Sequence, residues 1–226
     1  MTRLLTGVVG LALCTGAFAQ EVTVRGKIDV VHEDKAAVDD SGTVVWLTPT
    51  TGDVSVHPGP VVRLIQKSKQ FTPHVLAVTQ GSTIEFPNQD PFFHDVFSIY
   101  HGKPFDLGLY EGGAVRRVVF SRPGISYIFC NIHPEMNAIV VVTRTPYFAV
   151  TRLDGSFEIA HVLPGKYKLD LWYEFASDAD LASLSRQVEV SADESSLGST
   201  TVHSSVVLRQ HLNKYGEPYS PEKASY

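Results

Sequence analysis

Short β-rich runs separated by turn residues constrain the fold of this chain most strongly. Runs such as VTVRGKIDVV, ISYIFC and AIVVVT are rich in β-branched and aromatic residues. Turn-forming residues interrupt them in TPTTGD, HPGP, NQDP, RPG, LDG and LPG. Short strands with turn signals between them are typical of β-sandwiches. The sequence therefore predicts an all-β protein, with one helical turn in SDADLASL (177–184) as the exception.

The first 20 of the 226 residues have the features of a secretory signal peptide. Arg3 precedes an apolar run from Val8 to Leu13, and the small-x-small motif AFA follows. The apolar run is too short to span a bilayer. We expect cleavage after AFA and a periplasmic or secreted protein. Lipidation at Cys14, or burial of these residues as a strand or helix, are the alternatives.

The charge of the chain argues against one class of partner. The formal net charge at pH 7 is −5, and loss of Arg3 with the leader makes it −6. The chain has no basic cluster to neutralise phosphates, so we expect no nucleic-acid partner. No segment after the leader reaches the length of a membrane span, so we expect none.

The stretch FCNIHPEM contains Cys130, the single cysteine that remains after leader removal. Exported proteins usually pair their cysteines in disulfides, and Cys130 has no partner for one. It is either a buried inert thiol or a thiolate bound to a metal. His133 and Met136 follow it with the spacing C-x2-H-x2-M. This spacing indicates a metal loop.

Mononuclear electron-transfer copper sites use one thiolate, two imidazoles and often a weak axial thioether. The second imidazole should come from another strand, and His94 in FPNQDPFFHDVFSIY is the best candidate. Each of these residues alone is more often structural than a ligand. Together they predict one copper site with the ligands His94, Cys130, His133 and Met136. The adjacent rings of Phe92-Phe93 would shield it from water.

Other metal and catalytic sites fit the sequence less well. Zinc prefers closed sets of Cys and His ligands, and methionine is a poor zinc ligand. A binuclear copper centre would need a second cysteine, and haem attachment would need C-x-x-C-H. No hydrolase triad or phosphate-binding loop is recognisable. We therefore expect that the protein is not an enzyme.

The segments VLAVTQGSTIEFPNQDPFFHDVFS and RPGISYIFCNIHPEMNAIVVV resemble the cupredoxins, a family that includes plastocyanin and amicyanin. The short C-x2-H-x2-M loop is most similar to that of amicyanin. The resemblance implies a Greek-key β-sandwich, copper bound by the four residues above, and electron exit through His133 on an exposed loop. One residue departs from the family pattern: Asp95 stands where asparagine usually ties the ligand loops together, so that its carboxylate would lower the copper potential, be protonated, or turn outward.

The flanking segments resemble a transthyretin-like, carboxypeptidase-regulatory-type β-sandwich. Their strands VRGKIDVVHEDKAAVDDSGTVVWLTP and VTRLDGSFEIAHVLPGKYKLDLWYE lie on either side of the copper region. We expect a discontinuous second sandwich of residues 21–49 and 146–210, a cupredoxin domain at 58–145, and an extended or disordered tail at 211–226. Two consecutive domains are the alternative. Composite chains of this kind are described as methylamine-utilisation-type proteins.

The leading functional prediction is an exported type 1 (blue) copper protein that carries single electrons between redox proteins. One alternative is a non-enzymatic binding module whose copper site is vestigial or used for storage. A copper enzyme is the third, although the sequence offers no second ligand set.

Overall fold

The computed structural model describes residues 20–32, 40–52, 54–99, 101–193, 195–205 and 211–219. The predicted signal peptide at 1–20 lies outside these ranges, apart from its last residue. Within the described ranges the chain forms strands throughout and one short helix, so the all-β prediction is confirmed. No helix in these ranges has the length and apolar character needed to cross a membrane.

The strands and the helix follow one another in chain order. They are β1 (Val22–His32), β2 (Val44–Pro49), β3 (Val62–Arg63), β4 (Ile65–Lys67), β5 (Gln70–Thr72), β6 (Val75–Thr79), β7 (Thr83–Pro87), β8 (His94–Ser98), β9 (Phe105–Tyr110), β10 (Val115–Val119), β11 (Gly124–Cys130), β12 (Asn137–Thr143), β13 (Phe148–Val150), β14 (Ser156–Val162), β15 (Gly165–Trp172), α1 (Asp178–Leu184), β16 (Arg186–Val190) and β17 (Ser196–Ser204). The helix begins where the sequence predicts, because the Ser177 side chain accepts a hydrogen bond from the backbone N–H of Asp180 and caps it.

The first sandwich contains a five-stranded sheet, β6-β12-β11-β8-β9, and a three-stranded sheet, β10-β7-β3. The pairs β6–β12 and β3–β7 are parallel, while the other neighbours are antiparallel. Its core includes Phe86, Val96, Phe120 and Ile128, all inaccessible to solvent. Cys130 and Met136 of the predicted metal site belong to this core.

The second set of sheets joins strands from the two flanks of the chain. Strand β1 lies between β14 and β17, and β2 lies between β13 and β15, with β16 at the edge. In the β2–β15 pair, Val44 faces Trp172 and Leu47 faces Leu169. Strands before residue 50 thus pair only with strands after residue 147 within the described part of the chain.

Strand β12 lies between the two cores. Ala138, Val140 and Val142 pack in the first core, whereas Ile139 and Val141 pack in the second. Successive side chains of a strand point to opposite faces, so a strand buried on both faces must be apolar at every position. This explains the unbroken run AIVVV, which no alternating pattern would produce.

Candidate metal centre

The ends of two adjacent strands bring the predicted ligands together. Strand β8 begins at His94 and β11 ends at Cys130, and their register places Cys130 opposite Val96. His133 lies in the loop that connects β11 to β12. Cys130 Sγ is 3.6 Å from His94 Nδ1 and 3.5 Å from His133 Nδ1, and the two Nδ1 atoms are 3.1 Å apart. All three side chains are buried.

Met136 lies in the same loop and in the same apolar core as Cys130. Two backbone hydrogen bonds fold the loop back on itself. The N–H of Met136 donates to the carbonyl of His133 at 3.0 Å, and the N–H of Cys130 donates to the carbonyl of Met136 at 3.2 Å. The Met136 side chain is inaccessible to solvent. The six residues between the strands therefore form a tight turn, and Met136 and Cys130 are both part of the same buried core.

His94 has a fixed orientation that the sequence did not reveal. Its Nε2 lies 2.9 Å from Asp90 Oδ2, and both side chains are buried. Asp90 in turn accepts hydrogen bonds from the backbone N–H groups of Ser68 and Lys69, at 2.6 and 3.0 Å. A carboxylate that accepts from one imidazole nitrogen assigns the tautomer, so His94 Nδ1 directs a lone pair toward Cys130 and His133.

The pKa values of this pair agree with that assignment. Burial lowers the pKa of His94, which keeps the ring neutral. Burial acts to raise the pKa of Asp90, but hydrogen bonds from Lys69, His94 and Ser68 outweigh it and hold the pKa below its usual value. The pair is therefore a carboxylate beside a neutral imidazole.

The thiol of Cys130 lies in a water-excluded environment. Burial raises its pKa, while hydrogen bonds from the backbone N–H groups of Asp95, Ile132 and His133 act in the opposite direction. Phe92 packs edge-on against both imidazoles, with ring centroids 5.4 Å from His94 and 5.5 Å from His133. A thiolate here requires a nearby cation, because burial disfavours an isolated negative charge.

The three donors suit a single metal ion. Two imidazole nitrogens and one thiol sulfur lie within 4.8 Å of one another, and they are the one such group of His, Cys and acidic residues found within the described ranges. Bonds from imidazole and thiolate to a metal such as zinc are about 2.0–2.3 Å long, which matches donors separated by 3–4 Å. Nitrogen and sulfur donors suit zinc as well as copper, and two imidazoles with one thiolate and a weak axial thioether are the ligand set of blue-copper sites.

Asp95 does not turn outward. Its side chain accepts a hydrogen bond from Asn131 Nδ2 at 3.0 Å and forms an ion pair with Lys214 Nζ at 2.9 Å. Tyr219 donates a hydrogen bond to the carbonyl of Cys130 at 2.8 Å. Residues 211–219 of the predicted tail contain one turn and no helix or strand, and they pack on the site through these polar contacts. The low apolar content of this segment gave no sign in the sequence of these contacts.

The exposure of the loop also differs from expectation. The His133 side chain is buried, with a relative exposure of 4 %, whereas Phe93 on the neighbouring segment is 50 % exposed. Of the two aromatic residues predicted to shield the centre, Phe92 contacts both imidazoles, while half of the surface of Phe93 faces solvent.

Parts of the chain are similar to solved structures of copper proteins. A purple cupredoxin from Nitrosopumilus maritimus is 23% identical over 36% of this chain and 99% of its own, with a TM-score of 0.33. A copper-containing nitrite reductase from Thermus scotoductus SA-01 is 26% identical over 52% of this chain, with a TM-score of 0.36, and this chain spans 28% of its length. An amicyanin variant is 20% identical over 37% of this chain and 82% of its own, with a TM-score of 0.34. No protein-family model and no curated protein matches the chain.

Proposed function

We propose that this chain, whose site-bearing sandwich is cupredoxin-like, is an exported type 1 copper protein that carries single electrons between redox partners. The observation that carries the proposal is the convergence of His94 Nδ1, Cys130 Sγ and His133 Nδ1 within 4.8 Å in a buried site. A redox protein is the expected partner. Copper, when bound, would supply a one-electron couple.

Each residue has a distinct role in this proposal. Cys130 supplies the thiolate and His94 and His133 supply the equatorial imidazoles, while Met136 is the axial ligand. The tight turn of the ligand loop and the fixed His94 ring hold the donors in one arrangement, so little needs to rearrange when the charge of the site changes. His133, whose ring packs edge-on against Phe92 beside the half-exposed Phe93, is the proposed exit for the electron.

The donor set favours this function over a copper enzyme. Catalysis on a bound substrate would require an open coordination position or a second ligand group. The described residues contain one group of His, Cys and acidic side chains close enough to share an ion, and it is buried. The alternative of copper storage in a binding module uses the same residues, so it must be separated by experiment.

We also propose the division of the chain into a cupredoxin domain at 58–145 and a discontinuous, transthyretin-like sandwich of residues 21–49 and 146–210. The pairing of β2 with β13 and β15, across the intervening segment, supports this division. Expression of a circularly permuted chain that starts near residue 146 would test it.

The copper proposal is tested by adding Cu(II) to the purified, metal-free protein and recording visible and electron-paramagnetic-resonance spectra. We expect an intense visible band from the thiolate and a reversible redox couple. Cys130→Ser should abolish the band, while His203→Gln, which changes an exposed histidine outside the site, should retain it. Retention of the band in Cys130→Ser would refute the ligand assignment. Colourless, reversible copper uptake would favour storage.

A further inference from the structure

Residues 211–219 form a compact segment with a structure of its own. The side chain of Asn213 accepts hydrogen bonds from the backbone N–H groups of Tyr215 and Glu217, at 2.9 and 3.0 Å. Its backbone N–H donates to the carbonyl of Glu217 at 2.9 Å, and its carbonyl accepts from Gly216 at 3.0 Å. The segment is therefore a closed turn that presents its side chains in defined directions.

This turn contacts the thiol side of the metal centre at three places. The backbone N–H of Lys214 donates to Asn131 Oδ1 at 3.0 Å, next to Cys130. The Tyr219 hydroxyl donates to the carbonyl of Cys130 at 2.8 Å. The His211 ring stacks on Phe129, with centroids 4.0 Å apart and an interplanar angle of 24°. The segment thus contacts the residues on both sides of the thiol as well as Cys130 itself.

Ion pairs also hold the segment against the site. Lys214 Nζ lies 2.9 Å from Asp95 Oδ2 and 3.0 Å from Asp106 Oδ2. The side-chain exposures of Lys214 and Asp95 are 14% and 7%, whereas that of Asp106 is 49%. An ion pair in such a shielded position interacts more strongly than one on the surface, and loss of one partner leaves the other charge unpaired.

Asp95 would be unfavourable beside a thiolate without this cation. Its backbone N–H points at Cys130, and it follows the ligand His94 directly. A negative charge next to the metal stabilises the more positive, oxidised ion and therefore lowers the reduction potential. Lys214 places one positive charge against that carboxylate.

We propose that residues 211–219 are an integral part of the metal site, in which Lys214 is a positioning residue that offsets the charge of Asp95 and raises the reduction potential. This inference rests on the proposed function, because a potential exists only if the site holds a redox metal. Lys214 acts through Asp95, and Tyr219 holds the carbonyl of Cys130 from the same segment.

The test is a double-variant cycle on the copper-loaded full chain, with the reduction potential as the readout. Lys214→Met should lower the potential by the equivalent of about a tenfold change in the electron-exchange equilibrium, or about 59 mV for one electron. Asp95→Asn should raise it, and Lys214→Met should have little further effect in that background, so the double variant should lie near Asp95→Asn. Lys214→Arg retains the positive charge and should keep the potential close to that of the unaltered protein. The exposed Lys166→Met should leave the potential unchanged. An unchanged potential in Lys214→Met, or equal effects of this change with and without Asp95, would overturn the proposal.

A second readout needs no copper. In the metal-free protein, the same cycle measured by urea unfolding should show that Lys214→Met raises the unfolding constant about tenfold when Asp95 is present, and much less beside Asp95→Asn. Additive effects would show that the two side chains do not interact. A protein that passes this cycle but never becomes coloured with copper would contradict the proposed function and leave the packing of the segment established.

Discussion

Asp90 offers the sharpest test of how the centre is held. In the structure its carboxylate accepts hydrogen bonds from the His94 ring and from the backbone N–H groups of Ser68 and Lys69. Replacement by alanine removes all three hydrogen bonds at once. The N–H groups of Ser68 and Lys69 belong to a partly exposed turn that water can reach, but His94 is fully buried. The uncompensated donor is therefore the imidazole that should bind the metal.

The magnitude follows from these contacts. Loss of a hydrogen bond to a charged acceptor costs about 1.5–3 kcal/mol, and bonds to one carboxylate are not additive, so Asp90→Ala should reduce the free energy of unfolding by about 2–4 kcal/mol. Removal of a residue that orients a metal-binding histidine weakens metal binding by about 10–100-fold, or about 1.4–2.8 kcal/mol. Asp90→Asn retains one acceptor oxygen and should therefore lose less stability and less metal affinity.

The assay compares copper affinities by competition with a chelator and stabilities by urea unfolding of the metal-free protein. The exposed Asp193→Ala serves as the matched control and should change neither quantity. If Asp90→Ala binds copper within about twofold of the unaltered protein, the reasoning that Asp90 fixes the His94 tautomer is wrong, even if the protein is less stable.

Three further predictions concern the scaffold. Ile139→Ala should reduce the free energy of unfolding by about 2–5 kcal/mol in a urea titration, since it leaves a cavity in the second core; a loss below about 1 kcal/mol would contradict the packing. Gly155→Ala should destabilise the protein in the same assay, since the residue has a φ of +76° and a Cβ there would collide with the Ile28 carbonyl oxygen; a neutral result would refute the close approach. The hydrogen bond to Glu174 raises the pKa of His74, so the stability that the pair contributes is present below the ordinary histidine pKa of about 6.5 and is lost as the pH rises through the raised value. The stability difference between the unaltered protein and His74→Gln should accordingly shrink from pH 6 to pH 9, and a difference that does not vary with pH would exclude the ion pair.

Local sequence patterns predicted the strands well, and with them the meeting place of three donors. Cys130 and His133 are close in the chain, and the turn after β11 needs few residues to bring them together. His94 could be predicted because it lies at the start of a strand, and the first residue of β8 is at the same end of the sheet as the last residue of β11. The strand period and the turn signals were enough for this inference.

The polar supports of the site left no such pattern. Asp90 lies in NQDP, which reads as an ordinary turn, and its link to Ser68 and Lys69 depends on how a separate hairpin folds over it. Lys214 reaches Asp95 across 119 residues of sequence. Hydrogen bonds of this range depend on tertiary packing, and neither propensity nor periodicity encodes them.

Strand β12 limits how the metal-binding part of the chain can be used in isolation. A fragment of residues 58–145 would carry Ile139 and Val141 without the core that covers them, together with the half-buried Val75, Ile125 and Tyr127 that pack on the same side. Such a fragment would expose an apolar sheet face to water, and copies of it would associate with one another through that face. Engineering of a portable copper module from this chain would have to make that face polar first.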